Sequence, residues 1–231
     1  MSYWLVMPAA GTGRRLGADQ PKQYLKLAGR HLIEWSLSTF IADPRCKGIR
    51  VALSADDTQW TTLELEDPAG RLRSVIGGSQ RCHSVAAALH DLPAADDDWV
   101  LVHDAARPCL SSHDLDRLLA RREVAPQGAL LAVHVTDTMK RADEQGHVAA
   151  TVERRGLWRA QTPQMFPVGL LRRALAHCFA GGSEPSDEAQ AVETLGMMPL
   201  LVEGHSSNLK VTTAGDLELA AAILTLREEQ D

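Results

Sequence analysis

The sequence predicts an α/β protein built on a mostly parallel sheet flanked by helices. Three observations point there. Short apolar runs alternate with stretches whose apolar residues repeat at helical spacing, the pattern of successive β-α-β units. Aromatic residues are scarce, with five Trp, two Tyr and three Phe, so the core rests on Leu, Val, Ile and Ala, as it does in sheets covered by helices. The 231 residues are 45% hydrophobic and 23% charged, close to the globular average, which excludes disorder, collagen and coiled coil.

The expected strands cover residues 3–7, 49–53, 73–76, 99–103, 129–133 and 198–202. Between them, Leu32, Ile33, Leu37, Phe40 and Ile41 repeat at helical spacing, as do Val85, Ala88 and Leu89, then Leu115, Leu118 and Leu119. Each stripe can cover a sheet face. The run Ser186-Asp187-Glu188-Ala189 reads as a capped helix start with acids at the favourable end of the dipole, and no catalysis is assigned to it. A closing helix opens at Ala214 behind Thr213, a good N-cap, with Asp216 in its first turn and Leu217, Ala221 and Leu224 at helical spacing.

One segment breaks the alternation. Residues 135–140 and 148–153 are two β-rich runs around the polar turn 142–147, the pattern of a hairpin. Its apolar content is low and a lone two-stranded hairpin is marginal in water, so it packs either on a second copy of the chain or on its own domain. No repeat, low-complexity tract or linker interrupts the sequence, which implies one domain over residues 1–231 with residues 135–155 inserted in it as a protruding arm.

Acidic residues (30) outnumber basic ones (24), giving a net charge of −6, so no nucleic-acid partner is expected and any phosphate binding must be local. The four cysteines, Cys46, Cys82, Cys109 and Cys178, form no C-x-x-C and no regular spacing, which argues against a zinc knuckle or a disulfide framework and for a reducing cytoplasm. The apolar run at residues 3–7 stops at Pro8, too short for a signal peptide or membrane span, so no membrane association is expected.

Chemistry concentrates at strand ends. Directly after the first strand stands Pro8-Ala9-Ala10-Gly11-Thr12-Gly13-Arg14-Arg15-Leu16-Gly17, followed by Pro21-Lys22-Gln23-Tyr24-Leu25. A small-residue loop leaving a strand exposes backbone N–H groups and admits a phosphate at close range. Its spacing, G-x-G-x-x-x-G with no Gly-Lys-Ser/Thr, fits neither a dinucleotide site nor a P-loop. Arg14, Arg15 and Lys22 add side-chain charge suited to a polyphosphate. A second glycine pair, Gly77-Gly78, precedes Ser84, whose hydroxyl can read the polar edge of a base, although a plain strand-to-helix turn explains the segment equally well. In His103-Asp104-Ala105-Ala106-Arg107-Pro108, Asp104 sits where open α/β sheets bind ligands. His103 has no partner at metal-ligand spacing, so no protein metal site is expected. Further along, Asp137-Thr138-Met139-Lys140, Glu153-Arg154-Arg155, Gln161-Thr162-Pro163-Gln164 and Asn208-Leu209-Lys210-Val211-Thr212 scatter cations and hydroxyls that can converge on a second phosphate.

Taken in order, P-A-A-G-T-G-R-R-L-G, P-K-Q-Y-L, V-L-V-H-D-A-A-R-P, D-T-M-K, T-P-Q-M-F, S-D-E-A and N-L-K-V-T resemble, along nearly the whole chain, the 2-C-methyl-D-erythritol 4-phosphate cytidylyltransferases. The resemblance implies a Rossmann-like fold and a homodimer joined by the 135–155 arm. The implied reaction joins CTP and methylerythritol phosphate into the CDP-alcohol with Mg²⁺ held mainly by the triphosphate, releasing pyrophosphate. It is the third step of non-mevalonate isoprenoid synthesis. By the same resemblance, Arg15 and Lys22 stabilise charge on the α-phosphate, and Arg154 and Lys210 position methylerythritol phosphate. Ala9, Ala10, Gly11, Gly78, Ser84 and Ala105 lie on the cytidine side, and Asp104, Arg107, Thr138 and Thr162 on the alcohol-phosphate side, with Thr138 and Arg154 reaching into the neighbouring subunit's site. Ser79-Gln80 and Cys82-His83 depart from the family pattern near the ribose.

The residue inventory agrees with such a reaction. A phosphate monoester has a second pKa near 6 and is largely a dianion at neutral pH, so it needs no general base to attack phosphorus. The difficulty is bringing two anions together, which cations placed where charge gathers can relieve. Two rivals share the nucleotide loop: a cytidylyltransferase for another polyol phosphate such as ribitol 5-phosphate, and a nucleotide-binding regulatory module without catalysis.

Overall fold

A computed structural model describes residues 2–11 and 20–229. Chain order runs β1 (Tyr3–Pro8), β2 (Lys26–Leu27), β3 (Arg30–His31), α1 (Leu32–Ile41), β4 (Cys46–Leu53), β5 (Leu72–Ile76), α2 (Arg81–Asp91), β6 (Trp99–Val102) and α3 (Ser112–Leu119). It continues through β7 (Ala129–His134), β8 (Met139–Ala142), β9 (Val148–Val152), β10 (Trp158–Pro167), α4 (Val168–Ala180), α5 (Glu188–Glu193), β11 (Leu200–Glu203) and α6 (Ala214–Glu228). Seven strands form one sheet in the order β11-β7-β10-β6-β1-β4-β5. The β1–β4, β1–β6, β4–β5 and β7–β11 pairs are parallel, and β10 runs antiparallel to both neighbours, giving the mostly parallel Rossmann-like sheet the sequence predicts.

Both faces of this sheet are covered, which is why its central strands read as unbroken apolar runs rather than alternating ones. On one face Leu5, Met7, Ile49, Val51 and Leu101 pack with Ile33, Leu37 and Phe40 of α1 and Leu115 and Leu118 of α3. On the other, Val6, Val100, Val102 and Phe166 meet Val85, Ala88 and Leu89 of α2 and Leu171, Ala174 and Leu175 of α4. Each fully buried side chain of this size contributes about 1.5–3 kcal/mol. A smaller cluster, in which Leu32, Trp35 and Ala106 meet Val211, Ala220 and Leu224, docks α6 beside α1.

Thr213 caps α6 as expected: its Oγ1 accepts from the Asp216 N–H, while Asp216 Oδ2 accepts from the N–H groups of Thr212 and Thr213. The Thr212 hydroxyl also donates to it, and these bonds hold the Asp216 carboxyl down at about 2. The loop entering α6 is thereby fixed at Thr212.

Two expectations need correction, and a third difference is a strand that the sequence pattern does not announce. The expected strand 198–202 begins instead at Leu200, leaving Met198 83% exposed. The hairpin strands are shorter than 135–140 and 148–153, because pairing runs only from Met139↔Val152 to Ala142↔Val148. The third concerns β10, a central strand that polar residues conceal: it carries Arg159, Gln161, Thr162, Pro163 and Gln164. Proline inside a central strand ordinarily argues against one. Here Pro163 falls in the register break between Ala160 and Gln164, where no ladder bond is asked of it.

The β8–β9 hairpin forms a sheet of its own, with every residue exposed except the half-buried Val152. No helix among the described residues is long and apolar enough to cross a membrane.

Candidate active site

Strand β1 leads to β4 on one side of the sheet and has β6 on the other, and at such a change of direction the loops leaving the carboxyl ends part to leave a crevice. A cleft of about 350 Å³ lies there. Its wall combines the loop after β1, the turn holding Lys22, the start of α2, the loop after β6 and the loop leading to α6.

Each wall is pinned by named bonds. The Ala9 N–H donates to Ala52 O at 2.8 Å, and buried Gln23 donates from Nε2 to Ala9 O at 2.8 Å, so the turn carrying Lys22 is tied to the end of β1. Ser84 Oγ accepts from the Gly78 N–H at 3.1 Å. A Cβ on Gly77 would stand 2.8 Å from Ser84 Oγ and 2.9 Å from Ala10 Cβ, so glycine is what lets these two walls approach.

Asp104 is the charged centre, 6% exposed. Its Oδ1 accepts from Arg81 Nε at 2.9 Å and its Oδ2 meets Lys210 Nζ at 2.7 Å. Burial works against ionisation, but Arg81 and then Lys210 hold this carboxyl far below its ordinary range. Its N–H donates to Thr162 Oγ1 at 3.0 Å, and that hydroxyl lies 3.0 Å from His103 Nδ1. His103 Nε2 is 3.0 Å from Arg107 O, which can only accept, so Nε2 carries the proton and Nδ1 accepts from Thr162. Burial pushes the His103 imidazole down to about 4, so it stays neutral at pH 7 and serves as a fixed hydrogen-bond link.

Ala9, Ala10, Gly11, Lys22, Gly78, Ser84, Asp104, Ala105 and Lys210 line this one cleft. Arg107 and Thr162 do not line it. They lie one layer beneath, where Arg107 Nη1 donates to Asn208 O at 2.8 Å and its Nη2 to Ala160 O at 3.3 Å. Asn208 Nδ2 returns a bond to Thr162 O, and the Val211 N–H donates to Ala106 O, so the loop is fastened on both sides of Lys210. Thr138 and Arg154 flank the exposed hairpin and do not line the cleft of their own chain. Arg15 lies outside the described residues.

Sequence reasoning missed Arg81 and Gln23. Arg81 looks like an ordinary first residue of a helix, and its importance comes from Asp104 and from Glu188, 107 positions away. Only the glycine pair before α2 hinted that this helix start faces a ligand.

Comparison with known proteins gives a consistent result. The family model "IspD: 2-C-methyl-D-erythritol 4-phosphate cytidylyltransferase" matches residues 3–226. A 2-C-methyl-D-erythritol 4-phosphate cytidylyltransferase of Pseudomonas putida (strain W619) is 51% identical over 221 residues, covering 94% of this chain and 93% of that one. Among solved structures, the Francisella tularensis protein of the same name superposes with a TM-score of 0.84 at 34% identity, covering 96% of this chain and 100% of that one. The Thermus thermophilus protein superposes with a TM-score of 0.80 at 34% identity, covering 97% and 100%. With Lys22, Arg81 and Lys210 in one cleft at the switch point of this sheet, and with this family model and relative matching nearly all of it, the chain belongs to the 2-C-methyl-D-erythritol 4-phosphate cytidylyltransferase family.

Proposed function

We propose how this cleft carries its family's reaction, transfer of a cytidylyl group from CTP to 2-C-methyl-D-erythritol 4-phosphate with release of pyrophosphate. A monoester oxygen attacks the α-phosphorus, forming a new P–O bond as the bond to the β-phosphate oxygen breaks and its electron pair leaves with pyrophosphate. Lys22, with Arg15, answers the charge gathering on the α-phosphate. Lys210 holds the attacking monoester, and Asp104 holds Lys210. The small residues Ala9, Ala10, Gly11, Gly78 and Ala105, with Ser84, let the cytidine approach the backbone. The observation that carries this reading is that Lys22 and Lys210, 188 positions apart, line the same cleft.

The donor set fits a divalent cation held by substrate. Among the described residues no three His, Cys, Asp or Glu side chains gather, and Asp104, the carboxylate of the cleft, already has an oxygen on Arg81 and another on Lys210. Mg²⁺ would therefore sit chiefly on the triphosphate oxygens, with charge neutralisation its contribution.

Thr138 and Arg154 act in a second copy of the chain, reached through the hairpin. A two-stranded sheet exposed on both faces, with Met139 40% and Val148 66% exposed, is stable only when covered. The four buried, unpaired cysteines suit a reducing cytoplasm.

The direct test is pyrophosphate release from CTP and Mg²⁺ with methylerythritol phosphate or ribitol 5-phosphate, on protein sized by sedimentation. Turnover with the first substrate alone, by a species of twice the chain mass, is the expected outcome; turnover with ribitol 5-phosphate alone overturns the substrate.

The pH profile tests the absence of a protein base. Asp104 stays ionised and His103 neutral from pH 5 upward. The acid limb of kcat/KM for methylerythritol phosphate therefore belongs to the monoester, falling tenfold per unit below about pH 6. An inflection near 4 instead would place control on a protein group.

A further inference from the structure

The buried carboxylate of Glu188 takes no part in the reaction just described, yet it is joined to it. Glu188 is the first residue of α5, 1% exposed, and its two oxygens accept from Arg81 Nη1 at 2.6 Å and Nη2 at 2.9 Å. The third edge of the same guanidinium, Nε, donates to Asp104, and the far oxygen of Asp104 holds Lys210. Four side chains of alternating sign thus run from the core to the mouth of the cleft, where the Lys210 side chain is 40% exposed. The inner end is rigidly seated: Gln164 of β10 accepts from the Ala189 N–H at 2.8 Å and donates to Asp187 Oδ2 at 3.0 Å, clamping the start of α5.

We propose that Glu188 and Arg81 are positioning residues that set the place of the Lys210 ammonium through Asp104. The Arg81 fork has three donors taken by two carboxylates, a planar arrangement that lysine cannot reproduce. With Glu188 in place, the positive charge of Arg81 is shared, and Asp104 keeps one oxygen for Lys210. Without it, Arg81 is balanced by Asp104 alone and draws both oxygens inward, releasing Lys210. A buried carboxylate is costly to keep in a helix of six residues, where an apolar residue would pack at lower cost, and the relay gives it a use.

The kinetic part rests on the cytidylyltransferase reading, so the test pairs it with a readout that needs no turnover. Glu188→Gln keeps the shape and removes the charge. Its kcat is expected to fall about tenfold with KM for CTP within about threefold, and Glu188→Asp to recover part of the loss. In a Lys210→Met background, Glu188→Gln should cost less than about twofold, because the two changes act on one group. Separately, modification of Lys210 by an amine-reactive ester, read by peptide mass, should quicken severalfold in Glu188→Gln while exposed Lys26 is unchanged. If Glu188→Gln does not fold, Arg81→Lys removes the fork while keeping charge and is read in the same two ways. Unchanged Lys210 labelling, or losses that multiply in the double variant, overturns the proposal. A wild-type chain that releases no pyrophosphate overturns the reaction assignment and leaves the labelling result to decide the positioning.

Discussion

Lys22→Ala and Lys210→Ala each lower kcat by about 10²–10³, the loss that follows removal of one preorganised charge from a transition state. Two anions must meet in this cleft, and neither carries a proton whose removal an enzyme base could assist. On the mechanism proposed for this cleft, what the protein supplies is positive charge held still before the substrates arrive. Lys210 is held by Asp104 at 2.7 Å, and the turn bearing Lys22 is tied to β1 through Gln23. Steady-state pyrophosphate release measures the loss, and melting curves within a few degrees of wild type show that it is chemical. Turnover reduced less than about threefold in both variants removes these lysines from the mechanism.

Asp104→Ala combines the largest stability loss with loss of activity. The substitution takes their shared carboxylate from Arg81, which keeps its two bonds to Glu188, and from Lys210, which is 40% exposed, so the loss is that of charge-assisted hydrogen bonds, about 1–3 kcal/mol. For a chain of 231 residues this lowers Tm by about 2–12 °C. The sign with pH follows from the depressed carboxyl. The unfolded Asp104 protonates near its ordinary pKa of about 4 and the folded one far below. Its stabilisation is therefore complete above that value and drains away only as the pH falls beneath it. Thermal melts of wild type and variant at pH 7 should differ by this amount, and the gap should narrow in strong acid. A variant as stable as wild type would mean that Asp104 contributes nothing to holding the cleft together.

How much of this is legible in the sequence depends on how far each residue's partners lie along the chain. Strands β1, β4 and β6 announce themselves because burial on both faces demands unbroken apolar runs. The cap at Thr213 is local, completed by Asp216 three residues on. The glycine-rich loop and Asp104 stand at strand ends, where the sheet itself makes a site. In contrast, β10 is hidden because Gln161 and Gln164 are buried polar residues serving a carbonyl of a distant loop and an N–H of α5, a use that no period-2 pattern reveals. The backbone bonds of Arg107 are hidden for the same reason: its acceptors, Asn208 O and Ala160 O, are 101 and 53 positions away. Glu188 satisfies the rules for a helix start and so gives no sign of Arg81.

The cleft draws on residues 8–11, 22–23, 78–81, 84, 104–106, 210 and 212, so Lys210 leaves the ribosome only after most of the chain has been synthesised. A chain that ends before Lys210 lacks one wall of the cleft, and the closing helix that follows fastens that wall against α1.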